Sequence, residues 1–162
     1  MKCEIMSLKE IKNIGFIGLG VMGSPMCNNL LKNKKWHIIV HDLDNSKEKE
    51  LEKNGASIAK NLSELFNVAD MIITCLPGGD FVKEIYLGEK KIVSEINPDK
   101  LIIDMSTSQP DLMIELNKLI TKKGSFFADA PIARTRQAAK DGTLAIMAVS
   151  YTHLTLPTTT LV

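Results

Sequence analysis

From residue 14 onward, short runs of apolar residues alternate with segments whose apolar residues recur every three or four positions. Residues 14–17 read as a first strand, and residues 24–33 as a helix with Met26, Leu30 and Leu31 on one face. Residues 36–40 form a second strand. Residues 46–54 form a short charged helix that Ser46 can cap. A brief third strand at 57–59 leads to a helical turn at 63–67, again opened by a serine. Residues 71–76 are continuously apolar, as a strand buried on both faces would be. A helix over 80–87 and a strand over 101–104 follow. The helix over 110–122 begins with Pro110, where the missing N–H costs nothing, and Gly124 marks its end. Residues 125–128 and 144–149 are two further strand candidates. Strands and helices alternating at this rhythm predict an α/β fold, with parallel strands and crossover helices in a doubly wound, mostly parallel sheet. Residues 14–148 make one domain, preceded by an extension over 1–13.

Composition narrows the class. The chain has 162 residues, 44% of them hydrophobic and 24% charged, with a formal net charge of +1. That is the balance of a globular protein with room for a single core. Its lysines are dispersed, so no nucleic-acid partner is expected. No apolar run reaches the ~18 residues of a membrane span, so no membrane partner is expected either. The N-terminal stretch MKCEIMSLKEIKN mixes charges through its apolar residues and has no signal-peptide core. Cys3, Cys27 and Cys75 are odd in number and far apart. They fit free thiols in a reducing cytoplasm, and their spacing does not suit a metal site.

Candidate chemistry begins at residues 14–26, IGFIGLGVMGSPM. Gly18, Gly20 and Gly23 have the G-x-G-x-x-G spacing, between a predicted strand and a predicted helix. Gly18 permits a tight turn, Gly20 lets the backbone approach a pyrophosphate, and Gly23 lets helix pack on strand. Together with Leu19, Val21 and Met22 they form a turn whose N–H groups can hold a diphosphate. This is the signature of a Rossmann-type dinucleotide site. An acid is expected near the end of the second strand to bind the adenosine ribose, and Asp42 stands nineteen residues after Gly23. A carboxylate there favours NAD over NADP. Leu43 follows it where an arginine could have cradled a 2′-phosphate, while Lys47 is the one nearby cation that keeps NADP open. Alternatively, Asp42 only starts a turn. His41 reads as a partly exposed strand residue.

Three further segments complete a pattern. They are DMIITCLPGGDFVKEIY from Asp70, LIIDMSTSQP from Leu101 and FADAPIARTRQAAKDGTLAIM from Phe127. With the glycine segment, and in this order, they resemble the β-hydroxyacid dehydrogenase family, which includes 3-hydroxyisobutyrate dehydrogenases and tartronate semialdehyde reductases. The resemblance spans residues 14 to about 147. It implies that Leu76 and Pro77 line the ribose and adenine side of the cofactor, and that Thr107 contacts its nicotinamide half. Residues 106–108 can also simply cap the helix before Pro110. After Asp129-Ala130-Pro131 the common family pattern continues Val-Ser-Gly-Gly, whereas here it is Ile132-Ala133-Arg134-Thr135. The Arg-Thr pair is similar to the sulfolactaldehyde-reductase branch. Arginine grips a planar carboxylate bidentately and suits a sulfonate, so Ala133, Arg134 and Thr135 are the candidate substrate-binding residues. Alternatively, Arg134 is a surface residue paired with Asp141. Arg136 and Lys140 read as solvated helix charges.

The activity implied by the resemblance is NAD-dependent hydride transfer between nicotinamide and a small hydroxy acid or its aldehyde. In the family, a lysine on a helix beyond the Gly-Thr-Leu strand handles the proton. That helix leads into an all-helical second domain, and the full-length proteins are homo-oligomers. No lysine follows Leu144 here, so no catalytic residue is assigned. The chain is read as an N-terminal fragment, inactive alone. The alternative is a stand-alone NAD(P)-binding module without catalysis; a reductase of the imine-reducing or 6-phosphogluconate type is a third reading. The final stretch AVSYTHLTLPTTTLV carries no Lys, Arg, Asp or Glu. Residues 149–158 can be encoded by a string that resembles a transposon-end adapter used in sequencing-library preparation. Residues 149–162 are accordingly expected to be non-native.

Overall fold

In the computed structural model, β1 (Asn13–Ile17) lies inside a six-stranded sheet. Residues 11–89 and 91–149 are described; residues 150–162 of the expected tail, and Cys3, lie outside them. In chain order, the elements after β1 are α1 (Gly23–Lys32), β2 (His37–His41), α2 (Asn45–Lys53), β3 (Ser57–Ile58) and α3 (Leu62–Val68). Then come β4 (Met71–Thr74), α4 (Gly79–Leu87), α5 (Ile92–Glu95), β5 (Leu101–Asp104), α6 (Pro110–Lys122) and β6 (Phe126–Asp129). The chain continues through β7 (Ile132–Ala133), α7 (Arg136–Asp141) and β8 (Ala145–Ile146). The sheet order is β3-β2-β1-β4-β5-β6 and every pairing in it is parallel, as in a Rossmann-type fold.

Alternation along the strands sorts side chains to two faces. Ile14 and Phe16 of β1, Ile38 and Val40 of β2 and Ile73 of β4 pack with Cys27 of α1 and Leu51 of α2. On the other face Ile39, Ile72 and Ile102 pack with Leu65 and Phe66 of α3, Tyr86 of α4 and Met113 and Leu116 of α6. The rings of Phe66 and Tyr86 meet edge to face, 5.8 Å between centroids. The Tyr86 hydroxyl is buried, and burial, then the nearby Asp104 charge, raises its pKa.

Four expectations are corrected. The cap of α2 is Asp44, which accepts the N–H of Ser46, and the cap of α3 is Asn61, which accepts the N–H of Glu64. The expected serine caps instead sit within or beside the first turn. The fourth strand stops at Thr74, two residues early, so residues 75–77 turn out at the sheet edge. Residues 144–149 do not join the main sheet as a strand: β8 pairs antiparallel with β7 in a separate two-stranded sheet, and Val149 bridges Asp129. The four-residue α5 and two-residue β7 were not expected, because elements that short leave no measurable period.

Candidate functional site

The sheet reverses its winding between β1 and β4, and the C-terminal ends of the strands open there into a cleft. Ligands of open α/β sheets bind at such a switch point. The cleft has a volume of about 760 Å³ and runs from the β1–α1 turn across to Thr107 and Arg134. A smaller cavity of about 320 Å³, beside Lys83, Asp111 and Glu115, touches none of the candidate cofactor- or substrate-binding residues.

The three motif glycines have different physical reasons. Gly18 has φ +93°, which favours glycine, and a Cβ there would run into the Cys75 carbonyl. A Cβ on Gly23 would run into the Gly18 carbonyl. The fold itself therefore requires both. Gly20 is otherwise: its φ is not left-handed, and a Cβ there would meet nothing within 4 Å. No neighbour in the protein demands glycine at this place, and the open space is on the cleft. Beyond it Met22 stands at the N-cap of α1, which has no side-chain cap and no acid in its first turn, unlike α2 and α3. The N–H groups of Gly20, Val21 and Met22 make no hydrogen bond among the described residues. Unpaired amides and the positive end of the helix dipole together make an anion site.

Asp42 stands just past β2, across the cleft mouth. Its Oδ2 accepts the Leu19 N–H at 2.6 Å and its Oδ1 accepts the Asp44 N–H at 2.8 Å. The carboxylate thus ties the glycine turn to the β2–α2 turn. Lys47 Nζ lies 3.9 Å from Asp42 and 3.7 Å from Asp44, a cation shared between two acids. Hydrogen bonds to Ser46, and more weakly Lys47, lower the pKa of exposed Asp44. His41 lines the cleft, and its Nδ1 lies 3.2 Å from Glu48 Oε1 without hydrogen-bond alignment.

On the opposite wall a buried carboxylate organises the loops. Asp104 Oδ1 accepts the hydroxyls of Thr74 (2.6 Å) and Ser106 (2.7 Å), and Oδ2 accepts that of Ser108 at 3.3 Å. Ser106 Oγ in turn accepts the Leu76 N–H at 3.0 Å. This network joins the end of β4 to the end of β5 and presents Leu76, Pro77 and Thr107 to the cleft. Cys75 also lines it; burial, then Asp104, pushes that thiol up to about 11.

Of the sequence-predicted residues, Gly18, Gly20, Val21, Met22, Gly23, Asp42, Leu76, Pro77, Thr107 and Arg134 all line this one cleft. Leu19, Ala133 and Thr135 do not. Leu19 is buried in the core. Ala133 pairs with Ala145 in the small sheet. Thr135 caps α7, its Oγ1 accepting the Ala138 N–H at 3.3 Å. Arg134 has φ +94°, and its guanidinium donates to the Thr143 carbonyl at 3.1 Å. The Asp141 carboxylate accepts from Gln137 instead, so the expected alternative pairing with Arg134 is not made. Sequence reasoning missed the apolar lining given by Leu43, Leu62, Phe81 and Ile85. Leu43 is 94% and Phe81 53% exposed. Helical periodicity does not distinguish a side chain over a cleft from one on an ordinary surface. Among the described residues no acid, histidine or cysteine cluster could hold a metal, and no helix is long and apolar enough to cross a membrane.

Residues 13–153 match the family model described as the NAD binding domain of 6-phosphogluconate dehydrogenase. The chain is 38% identical over 134 residues to mouse mitochondrial 3-hydroxyisobutyrate dehydrogenase, covering 83% of this chain and 40% of the relative. It is 39% identical over 138 residues to Escherichia coli 3-sulfolactaldehyde reductase, covering 83% and 45%. The chain therefore spans less than half the length of these curated relatives. Among solved structures, Mycobacterium tuberculosis 3-hydroxyisobutyrate dehydrogenase with L-serine superposes with a TM-score of 0.76 at 29% identity, over 85% of this chain and 46% of that one. A protein in complex with NADP+ superposes with a TM-score of 0.78 at 25% identity, over 83% and 48%. The chain belongs to the family of the 6-phosphogluconate dehydrogenase NAD-binding domain, and its relatives are oxidoreductases of the 3-hydroxyisobutyrate dehydrogenase type.

Proposed function

We propose that the cleft binds NAD, with NADP the less favoured cofactor, as the cofactor-binding part of an enzyme acting on a small hydroxy acid or its aldehyde. One observation carries the proposal: Gly20 is a glycine that no neighbour in the protein requires, facing open space beside unpaired amides. A diphosphate supplies the missing reason, since any side chain at Gly20 would occupy its place. Bound nicotinamide would supply the hydride acceptor or donor. The residues of this chain bind and orient it.

The α1 amides neutralise the diphosphate. Each Asp42 oxygen accepts one N–H and keeps a lone pair for a ribose hydroxyl. A 2′-phosphate would meet this carboxylate instead, and Lys47 is already shared between Asp42 and Asp44. Leu43 and Phe81 offer apolar surface to the adenine. Thr107 and Leu76 stand toward the nicotinamide and ribose, held there by the Asp104 network.

Arg134 gives the cleft a guanidinium for the carboxylate or sulfonate of the substrate. Two features support that role over a surface charge: the side chain lines the cofactor cleft, and it sits on a left-handed backbone position. Strain of this sort concentrates at functional sites. It also favours an enzyme over a stand-alone binding module, which needs no substrate anchor. No residue of this chain is assigned the proton-handling role of the proposed reaction. Cys27 and Cys75 are free thiols, compatible with a reducing compartment such as the cytoplasm.

Titration calorimetry of NAD and NADP into the chain, with Gly20→Ala alongside, tests the reading. NAD should bind more tightly than NADP, and Gly20→Ala should weaken NAD by about tenfold or more, a loss of ~1.4 kcal/mol.

A further inference from the structure

We infer that Glu48 is a positioning residue for the adenosine end of the cofactor, fixing the Asp42 turn and through it the choice between a free 2′-hydroxyl and a 2′-phosphate. The inference rests on the NAD reading of the cleft. Glu48 lies in the first turn of α2, a helix whose sequence NSKEKELEK is otherwise charged and solvated apart from Leu51. Yet Glu48 is only 5% exposed. Burying a carboxylate is unfavourable unless it is hydrogen-bonded, and an apolar side chain would serve packing alone as well or better. The burial therefore calls for a specific task.

That task is visible in its contacts. Glu48 Oε1 accepts the backbone N–H of Asp42 at 2.9 Å. Asp42 is the first residue past β2, so this N–H has no strand partner and would otherwise be unsatisfied. The same oxygen lies 3.2 Å from His41 Nδ1, which places it against both residues at the end of β2. Asp42 carries the relay onward through its own carboxylate, which accepts from Leu19 and Asp44. The order is thus Glu48, then the Asp42 backbone, then the Asp42 carboxylate, then the glycine turn. Glu48 itself does not line the cleft. It sets where the Asp42 oxygens stand, and that position makes the site accept a diol and repel a phosphate. The positive end of α2 helps to hold the buried charge.

The test compares Glu48→Leu and Glu48→Gln in the chain. Dissociation constants for NAD and for NADP are measured by calorimetry at one pH, and thermal melts are recorded without nucleotide. Glu48→Leu should weaken NAD about tenfold, the scale of one well-placed hydrogen bond to a charged group, while NADP changes less than about twofold. The NAD-to-NADP preference then collapses. Glu48→Gln keeps an acceptor oxygen for the Asp42 N–H and should stay within about threefold of wild type. A merely structural role would weaken both nucleotides alike and lower the melting temperature in step. Unchanged preference in Glu48→Leu, equal loss of both nucleotides, or a Gln variant that behaves like Leu overturns the inference. If Glu48→Leu does not fold, Glu48→Ala carries the same comparison. A wild type that binds both nucleotides equally overturns the Asp42 reading and this one with it; a wild type that prefers NAD while the Leu variant keeps that preference overturns only the role of Glu48.

Discussion

Arg134 occupies a backbone position with φ +94°, in the left-handed region that favours glycine. A non-glycine residue held there costs on the order of 1–3 kcal/mol. Arg134→Gly should therefore raise the stability of the chain by about 1 kcal/mol, after the loss of the bond to the Thr143 carbonyl, even as it removes the proposed substrate anchor. A urea melt reads this directly, and a destabilised Gly variant would contradict the strain. Single residues were unequally legible in the sequence. Gly18, Gly20, Gly23 and Asp42 stood out because a turn, a close approach and an acid at a fixed distance restrict the residue type. Glu48 did not, because one acid in NSKEKELEK looks like any other until its burial is known. Asp104 was quoted within its motif, but LIID gives no sign that its last side chain gathers three hydroxyls. Asp44 and Asn61 capped where Ser46 and Ser63 were expected, since Asp, Asn and Ser all cap well and only the register decides.

Between elements, the Asp104 network is the joint that aligns the ends of β4 and β5. Asp104→Ala would leave the Thr74 and Ser106 hydroxyls without their acceptor in the interior. Breaking such a buried charged network costs about 3 kcal/mol or more. We expect a loss of that size in a denaturant melt, against less than about 1 kcal/mol for an exposed acid such as Asp80 changed to Ala. Equal small losses would mean that the loops hold without it. The strands of the main sheet were legible because each side chain is committed to one of two buried faces. The two-stranded sheet of β7 and β8 was not, because it has two residues per strand and pairs antiparallel, against the rhythm of the rest. Arg134 falls directly after β7, so the least legible part of the fold also holds the proposed substrate anchor.

At the scale of the whole molecule, the doubly wound parallel sheet followed from alternation, while its strand order, and with it the switch point between β1 and β4 at the cleft, came from the structure. The thiols of Cys27 and Cys75 give the domain a pH signature. Burial raises Cys27 from 9.0 to about 12, so its neutral form is favoured in the folded state. Its contribution is fully present below pH 9.0 and is lost as pH rises toward about 12, because only the unfolded chain releases the proton across that window. Cys75 acts the same way up to about 11, whereas Lys100, lowered by burial, acts in the opposite direction. Cys27→Ala should therefore flatten the fall of melting temperature between about pH 9 and 10.5 relative to wild type; a parallel fall in both proteins would contradict this. If the cleft is a dinucleotide site built around a glycine the protein itself does not need, Gly20 is where it shows. Gly20→Ala is measured for both melting temperature and NAD affinity. We expect an unchanged or slightly raised melting temperature together with NAD binding weakened about tenfold or more. NAD binding equal to wild type, or a variant that loses affinity only because it unfolds, would contradict it.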